Sequence, residues 1–279
     1  MIKYIKAIKI LREYRDSSPA DKPIDKIFAA ERLMNQKLFN EKYEAFCKLP
    51  IAKKVFSAKK QLHEIQADME YLKSLPKNSL GYKFAEFLDF HPDIYIGYQL
   101  ENFYKSWDDY LDTPEKKLYV ARMLATHDFV HLLLGYSRML VGEAHAAAFH
   151  ASRNQNANKA FKFLIFASGM KIFRECRSFK TLFYFIRSFR EAFRLGNKLA
   201  FFPTFPWEEY MHLPLEEVQK LIGFDEKDIM YFRKTQERYK TAHYDIFKRE
   251  HDALSEKQRE LICSGPNNEE IQKLVAASI

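Results

Sequence analysis

Two histidines four residues apart, with an aspartate between them, are the side chains of this sequence best suited to chemistry: His127-Asp128-Phe129-Val130-His131. On a helix each residue advances by about 100°. His127 and His131 therefore lie about 40° apart, one above the other, and Asp128 falls about 100° from His127 and about 60° from His131. All three project into one arc in which an ion can sit. Two imidazole nitrogens and a carboxylate suit zinc, iron or manganese better than calcium or magnesium. Glu143 follows twelve positions after His131. A straight helix rising about 1.5 Å per residue would put it about 18 Å away, too far to share an ion. Either Glu143 is not a ligand or the helix breaks. Gly135 lies at the right place for a break, and Gly142 leaves room beside the carboxylate. The expectation is two helices meeting at the ion. His145 and His150 follow closely and are not needed. The plain alternative is a helix with core or surface histidines and a cap-like aspartate.

The elements that must position these residues read as helices. The chain has 279 residues, 47% hydrophobic and 29% charged, with only 8 glycines. That composition is globular, and few glycines mean few tight turns. The length suffices to bury a sizeable core. Residues 1–15 read as a short basic helix, and SSPADKP (17–23) as a loop. Helices are expected over 24–47 and 51–74, separated by Leu49-Pro50, and from Tyr82 to Phe90. Residues 93–111 are ambiguous. Thr113-Pro114-Glu115 opens the helix of the histidines: Thr113 can cap, Pro114 fits the first helical position and Glu115 suits the positive end of the dipole. A polar loop follows at 152–158 and a helical stretch at 159–195, stopped by Gly196-Asn197. FFPTFPW (201–207) reads as extended, 214–222 as a short helix and about 226–262 as a long charged one.

Charge and cysteine usage narrow the function classes. The net charge of +8 suggests an anionic partner. Residues 159–202 hold ten Lys or Arg and two acids, Glu175 and Glu191. Phe179, Leu182, Phe183, Ile186, Phe189 and Phe193 fall in an arc of about 120°, flanked by Arg177, Lys180, Arg187 and Arg194. A helix lying in a membrane interface has this pattern, with rings in the acyl boundary and cations on anionic head groups. A core helix with a solvated basic rim has it too. No RNP-like motif, KH signature or zinc finger supports nucleic acid. Cys47, Cys176 and Cys263 form no disulfide framework, which fits a reducing compartment and thiols packed as small hydrophobes. The N-terminus lacks a secretory signal and reads as the first helix of the mature protein. No apolar run reaches the roughly 18 residues needed to span a bilayer.

At this point several motifs, in order, resemble the coenzyme Q (ubiquinone) biosynthesis protein 4 family. His127-Asp128-x-x-His131, then eleven residues, then Glu143 is similar to its signature. LPKNSLGYKFAEFL (75–88), Tyr119 with Arg122, the set Arg194, Gly196 and Lys198, then Trp207-Glu208 and PLEEVQKLIGF (214–224) resemble its other segments. Two features depart from the pattern: Gly135-Tyr136-Ser137 lacks the usual proline, and the tail beyond about 225 is longer. The resemblance implies an all-α, multi-helix domain with a metal site at the helix break and an apolar lipid-binding cavity. It divides the chain into an N-terminal helix and loop (1–23), the family domain (24–224) and a charged helical extension (225–279). It assigns His127, Asp128, His131 and Glu143 as ligands of a divalent metal, zinc by resemblance, with iron or manganese also suited. Arg122 points about 140° away from His127 on a regular helix and receives no catalytic role.

The resemblance also implies a function. The family handles polyprenylated quinone precursors at a membrane surface, organises other coenzyme Q biosynthesis proteins and is credited with oxidative decarboxylation at carbon 1 of a polyprenyl hydroxybenzoate. One reading is therefore a metal-dependent decarboxylase. The other is a non-catalytic lipid carrier or scaffold with a structural metal. No Gly-rich dinucleotide fingerprint or flavin motif is present, so an oxidative step needs dioxygen or an outside electron acceptor. A dimer is expected. The implied location is peripheral: the cytoplasmic face of the inner membrane in a bacterium, or the matrix side of the mitochondrial inner membrane in a eukaryote.

Overall fold

The structure is a computed structural model, and it describes residues 2–16, 24–89, 110–136, 140–153 and 179–230, with Tyr104, Trp107 and Gln155. The protein is all-α. Among the described residues the only extended pairing is an isolated bridge between Ser79 and Pro214. Helix α1 (Ile2–Asp16) packs on α2 (Ile24–Cys47) through Ala7, Leu11 and Ala30. The expected helix over 51–74 is instead three short ones: α3 (Pro50–Ser57), α4 (Leu62–Ala67) and α5 (Met69–Ser74). Asp68 causes the second break. It sits outside helical backbone, and its carboxylate accepts from Tyr71 N–H, which caps α5. Gln61 and Glu64 form a reciprocal box that starts α4 after the first break.

Helix α6 (Leu80–Asp89) leads to α7 (Pro114–Leu134), the central element. Thr113 caps α7 by accepting from Lys116 N–H at 3.3 Å, as its sequence predicts. One side of α7 contributes Ala125, Phe129 and Leu133 to the larger core, and another gives Tyr119 and Val120 to a second, aromatic core with Phe39, Phe46 and Trp107. Being covered on several sides, α7 shows no amphipathic stripe in its sequence. Phe129 packs between Phe84, 5.0 Å away, and Trp207, 4.7 Å away. Burying a ring of this size contributes about 1.5–3 kcal/mol.

Helix α8 (Leu140–His150) follows α7, and α9 (Phe179–Lys198) packs on α8. The sequence places a stop at Gly196-Asn197, but α9 runs through both. Gly196 is there for a different reason: a Cβ at that position would stand 2.4 Å from the Phe149 carbonyl oxygen. The segment read as extended holds a 3-10 turn (Phe202–Thr204) and then α10 (Trp207–Tyr210). Helix α11 (Leu215–Leu221) follows. The turn before α6 is pinned to the segment before α11. Leu80 and Gly81 donate to the carbonyls of Leu213 and Met211, and Leu215 donates to that of Asn78. Two motifs far apart in sequence thus form one seam. Residues 226–230 are helical, and the rest of the expected charged helix lies outside the described residues, as do 93–103 and 159–178.

Candidate metal centre

Helix α7 ends where the sequence asks it to. Gly135 adopts φ 68°, in the left-handed region, and its N–H closes on the His131 carbonyl. Tyr136 N–H bonds the same carbonyl at 2.9 Å. Helix α8 then starts at Leu140 and returns alongside α7, setting residue 143 beside 131 and residue 150 beside 127. The two helices are antiparallel, and the distance that excludes Glu143 on a straight helix disappears.

The side chains converge. His131 Nε2 lies 3.2 Å from His127 Nε2. Glu143 brings one carboxylate oxygen to 3.6 Å from His127 Nε2 and the other to 3.5 Å from His131 Nε2. Ligand atoms of these three residues all lie within 4.8 Å of one another. Asp128 is fully buried on α7 and stands outside this group of three. His131 is sealed, while the Glu143 side chain keeps 34% of its surface exposed. The cluster therefore opens to solvent on the α8 side.

Hydrogen bonds behind the rings set their protons. His131 Nδ1 lies 3.3 Å from the Tyr136 carbonyl oxygen. A carbonyl can only accept, so Nδ1 carries the proton and Nε2 presents its lone pair to the cluster. His127 Nδ1 lies 3.0 Å from His150 Nε2. Loss of hydration holds the His150 pKa well below its ordinary value, helped by His127 and His131 and opposed by Glu143. His145 is buried further along α8. Its Nε2 pairs with Ser188 Oγ on α9, and its ring stacks between Tyr136 and Phe189. Sequence reasoning set His145 and His150 aside. The i to i+7 spacing of Glu143 and His150, which puts both on one face of a helix, is the signal that could have found His150.

These donors fit a transition metal. Ligands about 2.0–2.1 Å from a tetrahedral zinc stand about 3.3 Å apart; the two imidazole nitrogens stand 3.2 Å apart, one carboxylate oxygen lies 3.6 Å from His127 and the other 3.5 Å from His131, and one atom from each residue lies within 4.8 Å of the rest. Two imidazole nitrogens aimed at each other across such a gap, beside a carboxylate, suit a shared cation.

Arg122 takes its place away from the cluster. It is 2% exposed, pairs with Glu208 and donates to the carbonyls of Pro203 and Phe205. Its role in the described structure is to hold the 203–208 segment onto α7.

A helical fold in which two antiparallel helices close a His, His, Glu cluster defines an all-α protein with a carboxylate–imidazole centre between neighbouring helices. The chain belongs to the coenzyme Q (ubiquinone) biosynthesis protein Coq4 family, whose family model matches residues 25–228. It is 26% identical over 212 residues to the mitochondrial ubiquinone biosynthesis protein COQ4 of Coccidioides immitis (strain RS), covering 71% of this chain and 66% of that protein. It is 23% identical over 173 residues to the mitochondrial COQ4 homolog of Aedes aegypti, covering 62% and 58%. The matches thus span less than two thirds of the length of either relative. A crystal structure from Nostoc punctiforme PCC 73102, of a protein provisionally assigned to ubiquinone biosynthesis, shares the fold. Its TM-score is 0.50 at 16% identity, covering 80% of this chain and 95% of that one.

Proposed function

We propose that this protein acts in coenzyme Q biosynthesis, as a peripheral membrane protein that binds a divalent metal and removes the ring carboxyl at carbon 1 of a polyprenyl hydroxybenzoate by oxidative decarboxylation. Membership of the Coq4 family supports the pathway. The observation that carries the chemistry is the convergence of His127 Nε2, His131 Nε2 and the Glu143 carboxylate. Three protein donors leave a position of a four-coordinate ion for substrate or water, the arrangement of catalytic rather than structural sites. When bound there, a divalent cation supplies Lewis acidity toward a carboxylate or ring oxygen; zinc is the assignment, with iron and manganese suited to the same donors. His131, sealed against Phe87, keeps water from the inner side. Glu143 faces the open side, where an aromatic head group can approach. The carboxyl leaves as carbon dioxide and a hydroxyl oxygen from water takes its place at carbon 1; the two protons and two electrons this releases pass to solvent and to an electron acceptor outside the chain.

Helix α9 supplies the membrane contact in this reading. Phe183, Ile186 and Phe193 are 62%, 51% and 40% exposed, and Arg187 and Arg190 are exposed beside them. The opposite side of α9, with Ser188, Ala192 and Leu195, is buried. No helix among the described residues is long and apolar enough to cross a membrane. This exposed face also favours a second reading, a prenyl-lipid carrier or scaffold that presents precursors to the other coenzyme Q enzymes, since the metal centre does not require it.

Metal analysis of the purified wild type and His131→Ala, paired with turnover of a prenylated hydroxybenzoate, tests the proposal. Loss of metal and of product together is the expected result. Metal loss with unchanged turnover leaves only the carrier reading. Equal metal in both proteins removes the site assignment.

A further inference from the structure

We infer that His150 is the positioning residue of the cluster, and that its Nε2 accepts the Nδ1–H of His127 and thereby aims the Nε2 lone pair of His127 at His131 and Glu143. The inference rests on the metal reading above and concerns a residue outside the signature motif. A neutral imidazole carries one N–H, and the bond made by one nitrogen decides what the other presents. His131 has an obligate acceptor, the Tyr136 carbonyl. Among the described residues no such carbonyl meets His127 Nδ1; it faces His150 Nε2 at 3.0 Å. An imidazole can either accept or donate, so the proton on this pair has two arrangements. With Nδ1–H on His127, its Nε2 offers a lone pair to the cluster. With the proton on His150 Nε2, His127 must turn an N–H toward His131 Nε2, 3.2 Å away, and no cation can be shared.

The fold delivers His150 to this position. His150 is the last residue of α8, two turns beyond Glu143 and about 20° from it around the helix. The return of α8 along α7 that delivers the carboxylate therefore delivers the acceptor as well. The rings of His127 and His150 lie with planes only 24° apart, and Phe149 packs edge-on against His150. The pair is thus held in register. Partners of this kind raise the basicity of a metal-bound imidazole, and their loss costs about 10–100-fold in metal affinity.

The test compares the full chain with His150→Phe, which keeps a ring but no acceptor, and His150→Gln, whose amide oxygen can accept. Co²⁺ affinity is read by competition with a chromophoric chelator, and the Co²⁺ absorption spectrum reports the ligand field. The expected result is a loss of about 10–100-fold for His150→Phe, recovered in large part by His150→Gln. Long-range ¹H–¹⁵N spectra of the metal-free wild type are expected to show neutral His127 already protonated at Nδ1, a readout that needs no variant and that simple loss of packing would not move. Wild-type affinity in His150→Phe, or protonation of His127 at Nε2, overturns the inference. A wild type that binds no Co²⁺, or a His131→Ala variant that binds it as well as wild type, overturns the metal reading itself.

Discussion

Arg122 and Glu208 stand 86 positions apart in the chain and form an ion pair whose arginine side chain is 2% exposed. The same guanidinium donates to the Pro203 carbonyl at 2.6 Å and to the Phe205 carbonyl at 2.7 Å. One side chain on α7 thus satisfies three acceptors in a segment with little regular structure of its own.

Arg122→Ala leaves those acceptors without their donor. Breaking a buried pair costs about 3–5 kcal/mol. The lower end applies here, because Glu208 keeps 26% of its side chain exposed. Arg122→Lys recovers little, since a single ammonium cannot reproduce the planar fork. Urea denaturation of the two variants checks both statements.

Gly196→Ala tests the approach of α9 to α8. The new methyl would meet the Phe149 carbonyl oxygen at 2.4 Å and Ser152 Oγ at 2.5 Å. Overpacking of this kind costs about 1–3 kcal/mol. Adding Ser152→Gly is expected to restore little of it, because the closest atom belongs to the backbone. Thermal unfolding of the single and double variants gives the comparison.

The exposed face of α9 makes a prediction about lipid. Phe183→Glu with Phe193→Glu is expected to abolish co-sedimentation with vesicles rich in anionic lipid. Arg187→Gln and Arg190→Gln each weaken it by about 1 kcal/mol, roughly fivefold, and flatten its salt dependence. Equal sedimentation of all variants would remove α9 from the membrane interface.

Acid should loosen the start of the C-terminal segment. The Lys198 ammonium, and then the Asp228 backbone N–H, hold the Asp225 carboxyl down at about 2. A depressed carboxyl contributes stability that is fully present above its unfolded value of about 3.9 and fades as pH falls toward 2. The melting difference between wild type and Asp225→Asn is therefore expected to be constant above about pH 5 and to close between pH 4 and 2.

Much of the histidine-bearing helix is legible in the sequence because its signals are local. Thr113 and Pro114 start α7, and Gly135 ends it with a positive φ that favours glycine. The register of His127 and His131 follows from helical geometry alone. Glu143 is legible only through the break, and the family motif supplies the reason to expect it. Other residues resist because their partners are distant in sequence. Arg122 looks purposeless on its own helix, and Glu208 explains it. Gly196 looks like a stop, since scarce glycines usually end helices, yet the Phe149 carbonyl requires it. Asp68 sits inside an apolar period that suggests one helix, and its capping bond to Tyr71 N–H divides it.

Gln155 has one further consequence. Its amide donates to the carbonyls of Gly196, Leu199 and Ala200, and its oxygen accepts from Phe202 N–H. Together with Arg122, it sutures the stretch from 196 to 208 to the core with bonds from two side chains. Amide exchange in such a stretch is governed by opening of the core rather than by local fraying. The slowest-exchanging protons of this protein should thus include some that belong to no α-helix, such as Phe202 N–H.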